Sequence, residues 1–373
     1  MPSLQPRIVL PREDARLRIV TILHPDYPAS ENTLLELRAL DDGGIDYDTV
    51  MAACSIVTGN TSKGFLATRA GARLEPVVRP DDGILGASEY FFQLPDEAVL
   101  ERPYPVVARF EDWTFPHAAM PSPWDELRCR AEGGTSCRVT DSRWGTERAH
   151  LVPLMVQGWW DRERLRRYVT TDRFSQRPID ADDNAIRLRS DIHTVFNDKT
   201  FAIVPKRDQT GDLAPVVHIV SPISDSYFHR HYHNRQMLPL WCSVECLFAR
   251  FAWALFQPAV LVFLSSCITS RRILVYDPST GTSTVESRNH EQMRAMLAAS
   301  RSRSASPRKR PASEVAGSTA DAADGSPDSG FESRGRSRKR PADPWDPDYS
   351  PKGQLRKRLC EEPAGDSTSV KES

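Results

Sequence analysis

Apolar residues recur along the first 298 positions of this 373-residue chain and then stop. From Arg301 onward the chain holds 15 Lys and Arg against 12 Asp and Glu, with almost no aromatic or β-branched side chains. Such a segment cannot bury enough apolar surface to offset the entropy of ordering it, so residues 299–373 are expected to be a disordered tail. Only residues 1–298 remain to build a packed fold, enough for two domains of ordinary size. The whole chain carries a net charge of −1, so the folded part is slightly acidic and the tail slightly basic. That balance excludes a uniformly basic coat for nucleic acid and a purely acidic solvating protein, and leaves room for a local basic groove.

Seven cysteines, widely scattered, do not make a disulfide-built scaffold. The first residues show no apolar core of a secretory signal, so the expected setting is intracellular, nuclear or cytoplasmic. The most apolar stretch, Leu240 to Leu264, contains Glu245, Arg250 and Pro258. These fit a buried helix that stops near Gln257 better than a bilayer span, so no membrane is expected as a partner.

Residues 1–120 read as a mixed α/β region of unknown role. Leu17–Leu23, Tyr90–Leu94 and Val106–Phe110 alternate as strands do. Leu34, Leu35, Leu37 and Leu40 suggest a helix over Glu31–Leu40, and Tyr47–Val57 a helix running into a strand. Residues 121–298 carry the chemistry, so the expected class is α+β.

The informative stretch runs from Cys137 to Lys206. Arg148 to Pro153 suits a short strand containing His150. About thirty residues follow, with Trp159, Trp160, Tyr168 and several Arg; a loop of that length in a compact domain is usually functional. A second strand opens with Asn184. Ser190 suits a helix N-cap and Asp191 its first turn. His193 and Asn197 lie four apart, on one helix face. Phe201 to Val204 forms another strand.

Strand with His, loop, strand opening with Asn, helix with His-x3-Asn: in that order the segment resembles HNH endonucleases, and more specifically the fungal HNH nuclease proteins. The pieces that carry the likeness are Ala149-His150-Leu-Val-Pro, Asn184-Ala-Ile-Arg-Leu-Arg-Ser-Asp-Ile-His193 and Phe201-Ala-Ile-Val-Pro-Lys. Cys54 to Asn60 and the apolar run 247–256 extend it over most of residues 15–265. The resemblance implies a ββα-metal domain with a buried C-terminal helix and hydrolysis of DNA phosphodiesters with a divalent cation, Mg²⁺ first, with Mn²⁺, Ni²⁺ or Zn²⁺ admitted by a His ligand. The sequence does not separate DNA from RNA. By the resemblance His150 is the general base, Asn184 bonds across the hairpin and orients the His150 ring, and His193 with Asn197 holds the ion. A His with a near-neutral pKa suits removal of a proton from water.

Two residues depart from the pattern. Ala149 stands where many HNH enzymes carry a metal-binding Asp or His, and Asn197 is a weaker hard-cation ligand than a carboxylate. They define the alternative, an inactive HNH-fold module that binds nucleic acid or protein. A replacement ligand would come from Glu147, Asp191, Asp198 or water; on an ideal strand Glu147 points away from the His150 face, so it serves only if the strand is bulged or starts later.

Arg162, Arg164, Arg166 and Arg167 form a candidate phosphate-contacting patch, with Trp159 and Trp160 stacking on bases or packing over the hairpin. His229, His231 and His233 share a face if their segment is a strand, and with Cys242 and Cys246 supply Zn-type ligands; the apolar surroundings favour buried thiols instead. In the tail, Arg308, Lys309 and Arg310, then Arg338, Lys339 and Arg340, resemble nuclear-localisation signals for an import receptor, next to Ser306-Pro and Ser326-Pro as phosphorylation sites.

Overall fold

A computed structural model describes residues 18–304, apart from 99–100, 131–133, 171–176, 209, 223–225 and 266–268. The basic clusters at 308–310 and 338–340 lie outside the described residues.

Helices and strands are mixed throughout. Five strands form the largest sheet, in the order Thr33–Arg38, Ile19–Leu23, Glu89–Gln93, Phe65–Ala70, Arg73–Pro76. Ile19–Leu23 runs antiparallel to Thr33–Arg38 and parallel to Glu89–Gln93. Side chains alternate between its faces: Ile22 and Phe92 enter the main core, while Leu23 and Phe91 join Ala67 in a small second cluster.

The expected helix over Glu31–Leu40 is instead the strand Thr33–Arg38. Its leucines meet a pairing partner, Leu35 opposite Ile22 and Leu37 opposite Val20, and its outer edge is met by the Val260 carbonyl at Glu36. Tertiary pairing overrides a spacing that looks helical in isolation. Tyr47–Val57 is helical to its end, started by Asp46, whose carboxylate accepts from the Thr49 backbone N–H at 2.8 Å. The strand expected over Val106–Phe110 is only Val106–Val107, followed by a single helical turn at Phe110–Asp112.

The apolar segment behaves as expected. Val244–Leu255 is a helix with Ser243 as N-cap, and every residue from Cys246 to Leu255 is buried. It packs against Phe201–Arg207, which pairs with Leu213–Ile219. Among the described residues no helix is long and apolar enough to cross a membrane.

One hydrophobic cluster runs from Val20 to Met296 and crosses residue 120 without a break. Val106–Val107 joins Arg271–Asp277 in parallel, so early and late segments share a sheet. The last helix, His290–Ser304, is held to the core by buried Met293 and Met296 and runs past the composition break at 298.

A buried polar knot also ties early to late chain. One carboxylate oxygen of Asp41 lies 2.6 Å from the Lys206 ammonium and 2.9 Å from His233 Nε2, and accepts from the Asn234 amide at 2.6 Å. Its other oxygen accepts from the Asp46 backbone N–H at 2.8 Å.

Candidate active site

The chemistry-bearing segment forms a two-stranded hairpin and one short helix. Thr146–His150 pairs antiparallel with Ala185–Arg189, setting His150 opposite Ala185, Arg148 opposite Arg187 and Glu147 opposite Leu188. The helix Ser190–Asn197 follows directly. Ser190 is its first residue and not its cap; Arg189 takes the cap position, with its guanidinium on Asp191 at 2.6 Å. Two apolar faces fix the unit: Ala149 and Leu188 of the hairpin, Ile192 and Phe196 of the helix, all buried.

His150 ends its strand, about a quarter exposed. Its Nε2 lies 3.1 Å from Asp180 Oδ1 and 3.4 Å from an Arg148 nitrogen. The nearer carboxylate favours a proton on Nε2, since two facing lone pairs would repel. Nδ1 then keeps its lone pair. Burial pushes the His150 pKa down, with Asp180 opposing and Arg148 adding to the shift. The ring is therefore neutral at neutral pH, the form that accepts a proton. Asp180 is held by Arg177 at 2.7 Å. Burial would raise its carboxyl pKa, but Arg177 and His150 outweigh that and hold it below the usual range.

Asn184 is fully buried and does bond across the hairpin, but to backbone rather than to the His150 ring. Its Oδ1 accepts from Val152 N at 2.9 Å, and its Nδ2 donates to Val152 O at 3.0 Å and Ile179 O at 2.8 Å. It thereby pins the chain just after His150 to the chain just before Asp180. The ring itself is oriented by Asp180, which the sequence reading missed. Asp180 lies in the long loop thirty residues from its partner, and only the short turn Pro178–Asp180 brings it back.

His193 meets Glu147: Nδ1 and Oε2 are 2.7 Å apart. Glu147 does point away from His150, as alternation requires, and the hairpin register is regular from Thr146 to His150. It reaches His193 because the helix packs on that face, so no bulge is needed. Asn197 is exposed one helical turn beyond His193 and borders a cleft with Lys199, Met155 and Trp253. The structure thus gives each expected histidine a carboxylate partner that the sequence reading had not assigned to it, His150–Asp180 and His193–Glu147, on opposite faces of one hairpin, and does not bring the two histidines to each other.

Arg250 holds this unit to the core. It is fully buried in the long helix and donates to the Phe196 carbonyl, at the end of the site helix, and to Leu151 O at 3.5 Å. Its guanidinium sits 3.5 Å from the Phe196 ring centre. A cation at a helix C-terminus is favourable, yet desolvation pushes the Arg250 pKa down to about 9.

The expected arginine patch divides. Arg162 is committed to packing: it bonds Glu163, Glu111 O and Trp113 O at 2.6–2.8 Å and lies 3.9 Å over Tyr276. Arg164, Arg166 and Arg167 are exposed. Trp159 and Trp160 are core residues; Trp159 stacks on Trp113 and donates to its carbonyl at 2.6 Å, so neither is offered to a base.

The Zn-type set does not assemble. His229 and His231 lie on the helix Ser226–Tyr232 rather than on a strand, and His233 joins the Asp41 knot. Cys242 is bonded through its backbone to Cys129, not to a histidine. Among the described residues the one group of three His, Cys, Asp or Glu side chains close enough to share a metal is Asp41, His218 and His233. Lys206 already places a positive charge 2.6 Å from that carboxylate.

Comparison with known families matches residues 137–204 to the HNH endonuclease model. No curated protein and no solved structure matches the chain. The matched span runs from Cys137 through the hairpin and its helix into the strand Phe201–Arg207, so an HNH domain is present and a nuclease-type function is indicated.

Proposed function

We propose that this protein is a metal-dependent endonuclease that hydrolyses DNA phosphodiester bonds at the hairpin. The observation that carries this reading is His150 itself: neutral, partly exposed, fixed by a carboxylate on one nitrogen and open on the other, within the HNH-matching span. His150 Nδ1 takes the proton of the attacking water, Asp180 holds the ring and stabilises the imidazolium, and Asn184 keeps both backbone segments in register.

The donor set on the opposite face fits a divalent cation. His193 and Glu147 supply a nitrogen and a carboxylate oxygen 2.7 Å apart, and Asn197, four residues on along the same helix, would have to turn its amide oxygen toward them to join. Glu147 adds the hard oxygen that Ala149 lacks, which suits Mg²⁺ or Mn²⁺. When bound, the ion would withdraw charge from the phosphate oxygen it contacts. The basic clusters at 308–310 and 338–340 suit an import receptor, and the nucleus is the compartment in which such an enzyme meets DNA.

A second reading, a binding module without catalysis, is favoured by one observation: His150 and His193 sit on opposite faces of a regular hairpin, and Ala149 is fully buried between them. A plasmid-nicking assay with the full chain and Mg²⁺, Mn²⁺ or Ni²⁺ separates the two. Nicking that disappears in both His150→Ala and His193→Ala supports the nuclease. Folded parent protein that nicks with no ion leaves the binding module.

A further inference from the structure

Beside His150, on its own face of the hairpin, lies a cleft of about 380 Å³ lined by Arg148, Arg187, Ala185, Thr135, Asp182 and Trp241, among others. Ala185 is the register partner of His150, so the cleft begins one strand away from the base. Two features point to an anion there. Arg148 and Arg187 are directly opposed across the hairpin, a like-charge pairing that destabilises a sheet unless it is neutralised. Arg148 is answered by Asp182 at 3.2 Å and by the Asp180 carbonyl. Arg187 is exposed, and no carboxylate answers its guanidinium among the described residues.

A third feature points to an aromatic ligand. Trp241 is 43% exposed; Trp113, Trp124, Trp159, Trp160 and Trp253 are buried, and Trp144, which is more exposed, lines neither this cleft nor its neighbour. It forms part of this cleft and also of a neighbouring one of about 420 Å³ that contains Arg128, Arg130 and Arg167 together with Asp125, Asp183 and Glu245. An exposed indole between two arginine-lined clefts has the composition of a single-strand site, in which bases stack and guanidinium groups follow the phosphates. The cleft is in the size range of small-ligand pockets and takes one nucleotide, not a stacked pair of strands.

We propose that this cleft binds one unpaired nucleotide next to the scissile phosphate, its base on Trp241 and its phosphate on Arg187, so that the protein acts on single-stranded DNA or on unpaired positions within a duplex. This rests on the nuclease reading for its purpose and not for its test. The second cleft extends the strand's path toward Arg167, one of the arginines expected from the sequence to meet phosphate.

The test is fluorescence anisotropy with the full chain in EDTA, using a labelled oligothymidylate and a blunt duplex hairpin of equal length. The single strand is expected to bind at least tenfold more tightly. Trp241→Ala should weaken single-strand binding by about tenfold, within the range for loss of one stacked base. Trp241→Phe should restore most of it, which a merely structural role would not do. Arg187→Gln should lower the slope of log affinity against log salt by about 0.7, one phosphate contact on a single strand. Equal binding of both probes, or single-strand affinity unchanged in Trp241→Ala, overturns the cleft. Because binding is read without metal, tight single-strand binding by a protein that nicks with no ion would overturn the nuclease and keep the cleft. Nicking that depends on His150 but shows no preference for unpaired DNA would do the reverse.

Discussion

Two histidine–carboxylate pairs of almost equal length sit in opposite surroundings. His150 lies 3.1 Å from Asp180 and His233 lies 2.9 Å from Asp41. At His233 both nitrogens are used, Nε2 on Asp41 and Nδ1 accepting from the Ile219 backbone at 3.2 Å, and the ring is 2% exposed. Asp41 is saturated by Lys206, Asn234 and the Asp46 backbone. The site is closed to a substrate by burial, and the Lys206 ammonium already lies 2.6 Å from the Asp41 carboxylate. At His150 one nitrogen is held and the other is open. The lesson is that a His–Asp contact states nothing about role: burial and the fate of the second nitrogen decide whether it is a rivet or a base.

The strongest way to break this comparison is to remove the rivet. Asp41→Ala leaves the Lys206 ammonium buried without its carboxylate, which costs about 3–5 kcal/mol. Chemical denaturation should show that loss, and the double change Asp41→Asn with Lys206→Met should recover most of it, since neither residue then carries a buried charge. Two variants equally stable to the parent would show the knot to be dispensable.

His150→Ala should do the opposite. We expect nicking to fall by about a hundred- to ten-thousandfold, the range for loss of a general base, with the denaturation midpoint almost unmoved because the ring is partly exposed. A large stability loss would place His150 with His233 as a structural residue.

Acid sharpens the same contrast. Burial lowers the pKa values of His218 and His233, and brings that of His24 to about 3. The unfolded chain therefore binds more protons than the folded one below about pH 6.5, so stability falls as pH drops through that point, by up to about 1.4 kcal/mol per unit for each ring. Asp46, raised by burial to about 6, works against this: its folded carboxyl takes up a proton before the unfolded one does, which returns one ring's worth between about pH 6 and the ordinary carboxylate value. Equilibrium unfolding between pH 7 and pH 5, written as about two units of acidification, should show net loss; a flat profile would mean these rings are charged in the fold.

The sequence made the hairpin and helix legible because local signals agree there: a short apolar run around His150, a second opening at Asn184, and the His193 and Asn197 spacing on the helix between them and the next strand. The long buried helix was legible for the same reason, as a continuous apolar run stopped ahead of Pro258; its Ser243 cap shows only in the structure. What was not legible depends on contacts distant in sequence. Thr33–Arg38 is a strand because Ile19–Leu23 lies beside it. Asp180 reaches His150 across the loop, and Glu147 meets His193 because of where the helix packs. Arg162 and the two tryptophans look like a nucleic-acid surface in one dimension and are packed inward in three: Trp160 is buried, and Trp113, which receives Arg162 and Trp159, lies nearly fifty residues away.

The smallest expected effect bears on the residue that the sequence concealed. Asp180→Asn keeps a hydrogen-bonding group near His150 Nε2 but removes the charge that favours its protonated form and stabilises the imidazolium. Asp180 raises the His150 pKa, so its loss lets burial and Arg148 lower that pKa further. The acid limb of the pH–rate profile should therefore move to lower pH, not higher. At neutral pH the ring is already neutral in the parent, so no activity is gained there. The rate should instead fall by about tenfold, the worth of one charge-assisted hydrogen bond of roughly 1.4 kcal/mol. That fall should appear in kcat and not in KM, because Asp180 orients the base and is not proposed to touch DNA. An unmoved limb with an unchanged rate would return the orienting role to Asn184 and the backbone it pins. A limb displaced upward would mean that Asp180 is not what raises the His150 pKa.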